Sequence, residues 1–198
     1  MDTDTRIASA VARGIAERLA GQWMLAPAVG YGASGEHQGF PGTISIGTSV
    51  LQLLLVEYGR SACDWASRLV FVNGHGGNVA AVAAAVTLLR DEGRNVAWCA
   101  CSVPGADAHA GHTETSVLLH ISPEAVRTEE LIAGNEAPLA DLMPRLRNGG
   151  VAAVSPVGVL GNPTTASAAD GSRIFAEMVD NCTRRVAAWA PGAGGLLQ

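Results

Sequence analysis

The stretch "RLVFVNGHGGNVAAVAAAV", residues Arg68–Val86, joins an apolar run to an alanine-rich run through a glycine-rich turn. Leu69–Asn73 shows no polar alternation, which is typical of a strand buried on both faces of a parallel sheet. Gly77–Asp91 is dominated by alanine and other apolar residues, which predicts a helix. A buried strand that passes through a short turn into a helix is the building unit of α/β proteins, so this stretch indicates the fold class.

The rest of the chain extends the same pattern. Further strands are predicted at Trp23–Val29 and Asn95–Cys101, and further helices at Ile7–Leu19, Val50–Ala66, His112–Ser122 and Ser167–Trp189. Strands that alternate with helices predict a three-layer α/β/α fold with a mainly parallel sheet. The sequence shows no repeat and no linker, so we expect a single domain over residues 1–190 and a loose tail over residues 191–198.

The composition of the chain argues against several classes of protein. The chain has 198 residues, 48% hydrophobic and 16% charged, which is enough for one domain with a sizeable core. The net charge is −5, and the basic residues form no stripe that would bind nucleic acid. All 13 basic residues are arginine, which excludes chemistry that needs a lysine. No apolar run is long enough for a membrane span and no signal peptide is evident, so we expect a cytoplasmic protein.

Four cysteines are spread along the chain, and none forms a C-x-x-C pair: Cys63, Cys99, Cys101 and Cys182. Cys99 and Cys101 lie two apart in a predicted strand and therefore share one face. We expect small buried hydrophobic side chains in a reducing compartment, with a metal or redox role as the alternative.

Polar side chains follow the predicted strands on three loops. Ser34, Glu36 and His37 lie on the first loop, His75 on the second, and Asp107, His109, His112 and Glu114 on the third. The carboxyl ends of parallel strands meet at one edge of a sheet, where α/β proteins bind their ligands. Imidazoles and carboxylates are the ligands of divalent ions such as Zn²⁺ or Mn²⁺. The sequence therefore predicts a metal site at this edge.

Some of these candidates, and Asp4 near the start of the sequence, also have a simpler structural explanation. His75 could hydrogen-bond to the backbone of its own turn, and Gly76 and Gly77 could open the next helix onto a phosphate. Glu114 could be a carboxylate that the helix dipole favours in a first turn. Asp4 could be a helix N-cap.

Four segments, in this order, resemble the creatininase family of metal-dependent amidohydrolases: "GEHQGFPGT" (Gly35–Thr43), "NGHGGN" (Asn73–Asn78), "HAGHTETS" (His109–Ser116) and "GVLGNPTTASAADG" (Gly158–Gly171). The resemblance runs from residue 1 to about residue 190. It implies an α/β/α fold, hydrolysis of an amide bond and assembly into a closed homo-oligomer. Within the family, the chain most resembles members that release a short C-terminal piece from a modified precursor peptide, so such a peptide is the implied substrate.

The resemblance also implies roles for single residues. Asp4, the last residue of "MDTD", would bridge two metal ions, and His75 would be a metal ligand. Glu114 and His109 would serve as a ligand and a proton carrier, and the division of these roles between them stays open. Ser34, Glu36 and His37 match the loop that shapes the substrate side. Zn²⁺ is the expected ion, with Fe²⁺ or Mn²⁺ as alternatives.

One departure from the family concerns the start of the chain. The family carries an E-x-H pair of ligands and a strand shortly before the aspartate, whereas this sequence begins inside that motif, at Met1. We expect the upstream DNA to encode this segment in frame. The alternatives are a metal-depleted homologue that acts as a binding or scaffold protein, and a creatininase-like hydrolase of a small cyclic or formyl amide.

Overall fold

The computed structural model describes residues 2–198. Its helices are α1 (Thr3–Arg18), α2 (Thr48–Ala62), α3 (Val79–Asp91), α4 (His112–Ile121), α5 (Leu139–Gly149) and α6 (Ala168–Ala188). Its strands are β1 (Leu69–Asn73) and β2 (Val96–Ala100). Two 3₁₀ turns, Gly35–His37 and Gly76–Asn78, lie in the loops discussed below. Among residues 2–198, no helix is both long and apolar enough to cross a bilayer.

The two strands form a parallel sheet in which Phe71 of β1 lies opposite Trp98 of β2. On the other edge of β2, Trp98 makes a further parallel bridge to Leu196. β1 leads through α3 to β2, which is the crossover that the opening stretch predicts. The predicted α/β class and parallel sheet are therefore confirmed.

The sheet lies between two layers of helices, and its side chains alternate between two apolar cores. Ala97 and Cys99 of β2 pack with α1, α4 and α6 on one face. Val96 and Trp98 pack with α2 and α3 on the other face. Because each face of each strand is covered by helices, the sequences of both strands are continuously apolar. All four cysteine thiols are free; Cys99 and Cys182 are buried, and Cys63 and Cys101 are half-buried.

The prediction of a strand at Trp23–Val29 is wrong, because this run belongs to neither a helix nor a strand. Its side chains are largely uncovered, and Met24 is 77% exposed. A groove of about 1060 Å³ is lined both by this run and by β1. The run therefore does not reach the edge of β1, and a strand without a neighbouring ladder does not form.

Residues 191–198, expected as a loose tail, lie against the sheet. The Leu197 N–H donates to the Trp98 carbonyl oxygen (2.9 Å), and the Leu197 side chain is buried. The Trp98 indole N–H donates to the Gly194 carbonyl oxygen (2.9 Å). Two leucines in this segment, Leu196 and Leu197, supply the apolar surface that holds it.

Candidate functional site

The second loop presents His75 directly after the end of β1. His75 has an extended backbone, and the 3₁₀ turn Gly76–Asn78 then leads into α3. A methyl group on Gly77 would lie 2.6 Å from Glu36 Oε1 and 2.7 Å from His75 Nε2. Glycine at position 77 is therefore what allows the helix start to approach these two side chains.

The His75 imidazole lies between two carboxylates. Its Nδ1 is 3.1 Å from Asp4 Oδ2, and its Nε2 is 2.9 Å from Glu36 Oε1. Burial of this ring opposes its positive charge, but the hydrogen bonds to Asp4 and Glu36 outweigh burial and raise the pKa of His75 to about 10. In the metal-free protein the protonated imidazole offsets part of the negative charge of the two carboxylates.

Asp4 reaches His75 from helix α1. The helix begins at Thr3 with Asp2 at its cap position, so Asp4 lies in the first turn and its explanation as the N-cap is wrong. A methyl group on Gly74 would lie 2.7 Å from the Asp4 carbonyl oxygen. The absence of a side chain at position 74 therefore lets α1 pack closely on the end of β1 and carries the Asp4 carboxylate to the imidazole.

The first loop contributes Ser34, Glu36 and His37. Ser34 Oγ is 3.4 Å from His75 Nε2, and the 3₁₀ turn Gly35–His37 places the other two side chains beside it. One ligand atom each from Glu36, His37 and His75 lie within 4.8 Å of one another. The structure thus places Glu36 and His37, expected on the substrate side, where they could also hold a metal ion.

The third loop carries His109 after the end of β2, and Glu114 follows in the first turn of α4. His109 forms an antiparallel bridge with Leu160, in which its N–H donates to the Leu160 carbonyl (3.1 Å) and the Leu160 N–H donates back (2.8 Å). Ala110 has a left-handed backbone (φ 52°), and its N–H donates to Glu114 Oε2 (2.7 Å). His109 Nδ1 lies 3.9 Å from the same oxygen. The loop and the first turn of α4 therefore direct the two side chains to one place.

His109 and Glu114 are mostly buried, and burial decides how they titrate. Burial, with a further contribution from His37, lowers the pKa of His109 to about 4. Burial and the nearby Asp4 carboxylate raise the pKa of Glu114 to about 7, against the Ala110 hydrogen bond. At neutral pH His109 is therefore a neutral imidazole that can accept a proton, and Glu114 is a carboxyl group that a nearby cation would ionise.

Two histidines make their contacts away from His75. His112 Nδ1 lies 2.9 Å from Thr165 Oγ1, and the His120 ring packs on Phe175 with centroids 5.8 Å apart. The structure thus brings together three of the five histidines, His37, His75 and His109, with the carboxylates of Asp4, Glu36 and Glu114.

Asp107, a candidate for the metal site in the sequence, instead holds the third loop in place. The Asp107 carboxylate accepts the backbone N–H groups of His112 and Thr113, the latter at 3.0 Å, and so caps the start of α4. An aspartate shortly before a helix is the signal that could have identified this cap. The pairing of Leu160 with His109 joins distant parts of the chain, and local sequence carries no signal for it.

The chain is similar to a known protein family and to curated proteins. The family model described as creatinine amidohydrolase (creatininase) matches residues 1–186. The mycofactocin precursor peptide peptidase of Mycolicibacterium smegmatis is 67% identical, over all of this chain and 81% of its own length. The protein of the same name from Mycobacterium ulcerans is 65% identical, over all of this chain and 82% of its own length.

Solved structures show the same architecture. A zinc form of a creatininase variant superposes with a TM-score of 0.77 at 24% identity, over 97% of this chain and 84% of that chain. The manganese form of creatininase superposes with a TM-score of 0.77 at 23% identity, over 97% of this chain and 85% of that chain. At this level of identity the likeness establishes the fold.

Proposed function

Because this chain belongs to the creatininase family, we propose that it is a metal-dependent amide hydrolase that cleaves a precursor peptide in mycofactocin biosynthesis. The peptide substrate is taken from the name of relatives that are 65–67% identical over the whole chain. The cleaved bond is expected to lie near the C-terminus of the modified peptide, so that a short C-terminal piece is released.

The observation that carries the proposal is the position of the His75 imidazole between the carboxylates of Asp4 and Glu36, with His37 in reach. Two imidazoles and one carboxylate, from His37, His75 and Glu36, offer ligand atoms within 4.8 Å of one another, which fits a divalent ion of the Zn²⁺ or Mn²⁺ class, and Asp4 faces the other ring nitrogen of His75. The pKa of His75, raised to about 10, points the same way, because it reports a local excess of negative charge that an added cation would neutralise.

We assign metal binding to Asp4, His75 and Glu114, with Glu36 and His37 as further groups within reach. When bound, a divalent ion supplies Lewis-acid polarisation of the carbonyl and lowers the pKa of water. The carboxyl group of Glu114 is buried beside Asp4, which raises its pKa to about 7. Binding of a cation would favour the ionised form of this group, which supports its assignment as a ligand.

His109 is assigned as the proton carrier. Burial lowers its pKa to about 4, so its free ring nitrogen is unprotonated at neutral pH. The imidazole can accept the proton that a water molecule releases on attacking the amide carbonyl, and it can then donate that proton to the departing amine. The bridge to Leu160 fixes the backbone of His109 during both transfers.

Ser34 is assigned to substrate binding, since its hydroxyl lies at the edge of the metal-ligand group, 3.4 Å from His75 Nε2. The rival substrate, a small cyclic or formyl amide, rests on structures that share only 23–24% identity with this chain. A peptidase is favoured because the relatives of that name are far more similar.

The test of this function is a substrate comparison with reconstituted protein. The purified protein would be stripped with a chelator, reloaded with Zn²⁺, Mn²⁺ or Fe²⁺, and incubated with either the modified precursor peptide or creatinine. We expect cleavage of the peptide by at least one reloaded form and none by the stripped form. Hydrolysis of creatinine alone would favour the small-amide alternative, and activity without any metal would contradict the mechanism.

We further propose that the protein acts as a cytoplasmic homo-oligomer. The outer face of α2 exposes two apolar side chains one turn apart, Val50 (56% exposed) and Leu53 (62% exposed). Ile44, just before this helix, is also exposed. An apolar surface of this kind is typical of an interface, and sedimentation of the purified protein would reveal the oligomer.

A further inference from the structure

Asn78, the last residue of the turn after His75, connects two loops of the site. Its Oδ1 accepts the backbone N–H of Ala33 (2.9 Å), directly before Ser34 on the first loop. Its Nδ2 donates to Asn73 Oδ1 (3.3 Å) at the end of β1. One amide side chain thus binds the first loop at one end and the base of the second loop at the other.

Asn73 continues this connection to His75. Its Nδ2 donates to the His75 carbonyl oxygen (2.9 Å), and its Oδ1 also accepts the His75 N–H (3.3 Å). Asn73 is buried, and so is Ala33 at the other end of the connection. Buried amide groups whose hydrogen bonds are satisfied on both sides hold backbone in one arrangement, because breaking them leaves unpaired polar groups.

The connection through Asn78 uses none of the imidazole and carboxylate groups proposed to hold the metal ion. The other described contacts between the two loops include Glu36 Oε1 to His75 Nε2 (2.9 Å) and Ser34 Oγ to His75 Nε2 (3.4 Å). Both use the His75 ring nitrogen, which a metal ion could occupy. The hydrogen bonds of Asn78 are compatible with a bound ion, so they can fix the two loops in both the metal-free and the metal-bound protein.

The chain leaves room for this side chain at Gly32. A methyl group on Gly32 would lie 2.5 Å from Asn78 Oδ1 and 3.0 Å from Asn78 Nδ2. The Asn78 amide therefore packs directly on the Gly32 backbone. The next residue of the first loop has a different partner, since the Ser34 N–H donates to Ser45 Oγ (2.9 Å).

We propose that Asn78 is a positioning residue that sets the distance between the His75 loop and the Ser34–His37 loop, and thereby the metal affinity of the site. The inference rests on the proposed function, since it assumes that the ligands of one metal site come from both loops. Loss of a residue that orients metal ligands costs ~10–100-fold in metal affinity or activity. We therefore expect the Zn²⁺ affinity of Asn78→Ala to fall by about that factor.

The test measures Zn²⁺ affinity by competition with a chromophoric chelator, and the thermal stability of each metal-free variant. Asn95→Ala is the matched control, because Asn95 Oδ1 accepts the Trp189 indole N–H (2.7 Å) just before β2, at the end of the sheet opposite the site. We expect Asn95→Ala to lower stability without changing Zn²⁺ affinity. Equal Zn²⁺ affinity in wild type and folded Asn78→Ala would overturn the inference.

A second variant keeps the test decisive if Asn78→Ala does not fold. Gly32→Ala should push the Asn78 amide away and weaken Zn²⁺ binding by itself, so an unchanged affinity there overturns the inference. In a folded double variant, Gly32→Ala should add little to Asn78→Ala, because the displaced side chain is already gone; fully additive losses would contradict the contact. A wild-type protein that does not bind Zn²⁺ would contradict the proposed function, and this inference with it.

Discussion

The imidazole rings of His37 and His109 pack on each other, with centroids 4.4 Å apart and planes tilted by 38°. The first ring comes from the turn before α2 and the second from the loop after β2. The contact joins the ligand group around His75 to the His109–Glu114 pair, so the histidines and carboxylates of three loops form one continuous site. Each ring helps to keep water from the other, which is why burial lowers the pKa of both.

Replacement of His109 tests its role as proton carrier. His109→Asn should retain bound metal and lower kcat by the ~10²–10⁴-fold typical of lost general acid–base catalysis. Metal content and steady-state kinetics would be measured on the same sample. His120→Asn is the control, since this histidine packs on Phe175 instead, and it should leave kcat unchanged. Loss of metal in parallel with kcat would mean that His109 is a ligand.

Replacement of Glu114 tests its role as a metal ligand. Glu114→Gln keeps an oxygen that can accept the Ala110 N–H but removes the negative charge. We expect metal occupancy to fall, because a neutral amide is a weaker ligand for a divalent ion than a carboxylate. Occupancy would be measured by elemental analysis after dialysis. Full occupancy together with a large loss of kcat would show that the roles of Glu114 and His109 are reversed.

Two adjacent glycines provide a matched pair of variants. A methyl group on Gly77 would collide with Glu36 Oε1, His75 Nε2 and the Ala33 carbonyl, whereas a methyl group on Gly76 meets nothing within 4 Å. We expect Gly77→Ala to lower metal affinity by at least tenfold, about the cost of a lost orienting contact, and Gly76→Ala to have little effect. Chelator competition would compare them, and equal affinities would contradict the described loop packing.

Metal binding should release protons. Asp4 and Glu36 raise the pKa of His75 to about 10 against its burial, so the ring is protonated at neutral pH in the metal-free protein. That charge stabilises the metal-free fold below the ordinary histidine pKa, and the stabilisation is lost as the pH rises through about 10. A metal ligand must be neutral, so metal affinity should rise with pH. Calorimetry in buffers of different ionisation enthalpy would detect the released proton, and a pH-independent affinity would contradict the assignment.

The sequence predicted the parts of the fold that local pattern determines. β1 was predicted with its observed bounds, Leu69–Asn73, because an uninterrupted apolar run before a glycine-rich turn is typical of a buried parallel strand. The same reasoning was wrong for Trp23–Val29, which is equally apolar but has no neighbouring strand. Apolar composition indicates that a segment can be buried, whereas strand formation depends on partners that are distant in sequence.

The candidate site was predictable in its residue types and loops but not in its geometry. The predicted strand ends placed His75 and Glu114 together with the first loop, whereas the role of Asp4 was implied only by the resemblance to the creatininase family. The 3₁₀ turn that places Glu36 Oε1 2.9 Å from His75 Nε2 depends on packing between loops, and no local pattern encodes that distance. The pairing of His109 with Leu160 and the hydrogen bond from Ala33 to Asn78 are likewise long-range contacts.

We propose above that His75 holds the metal ion with which this protein hydrolyses a peptide amide. The most direct measurement is mass spectrometry of the modified precursor peptide after incubation with Zn²⁺-reconstituted wild type and His75→Ala at equal concentration. We expect release of the C-terminal piece by wild type and none by folded His75→Ala, which should melt below the metal-free wild type because its contacts with Asp4 and Glu36 are lost. Cleavage by His75→Ala at the wild-type rate would contradict the account.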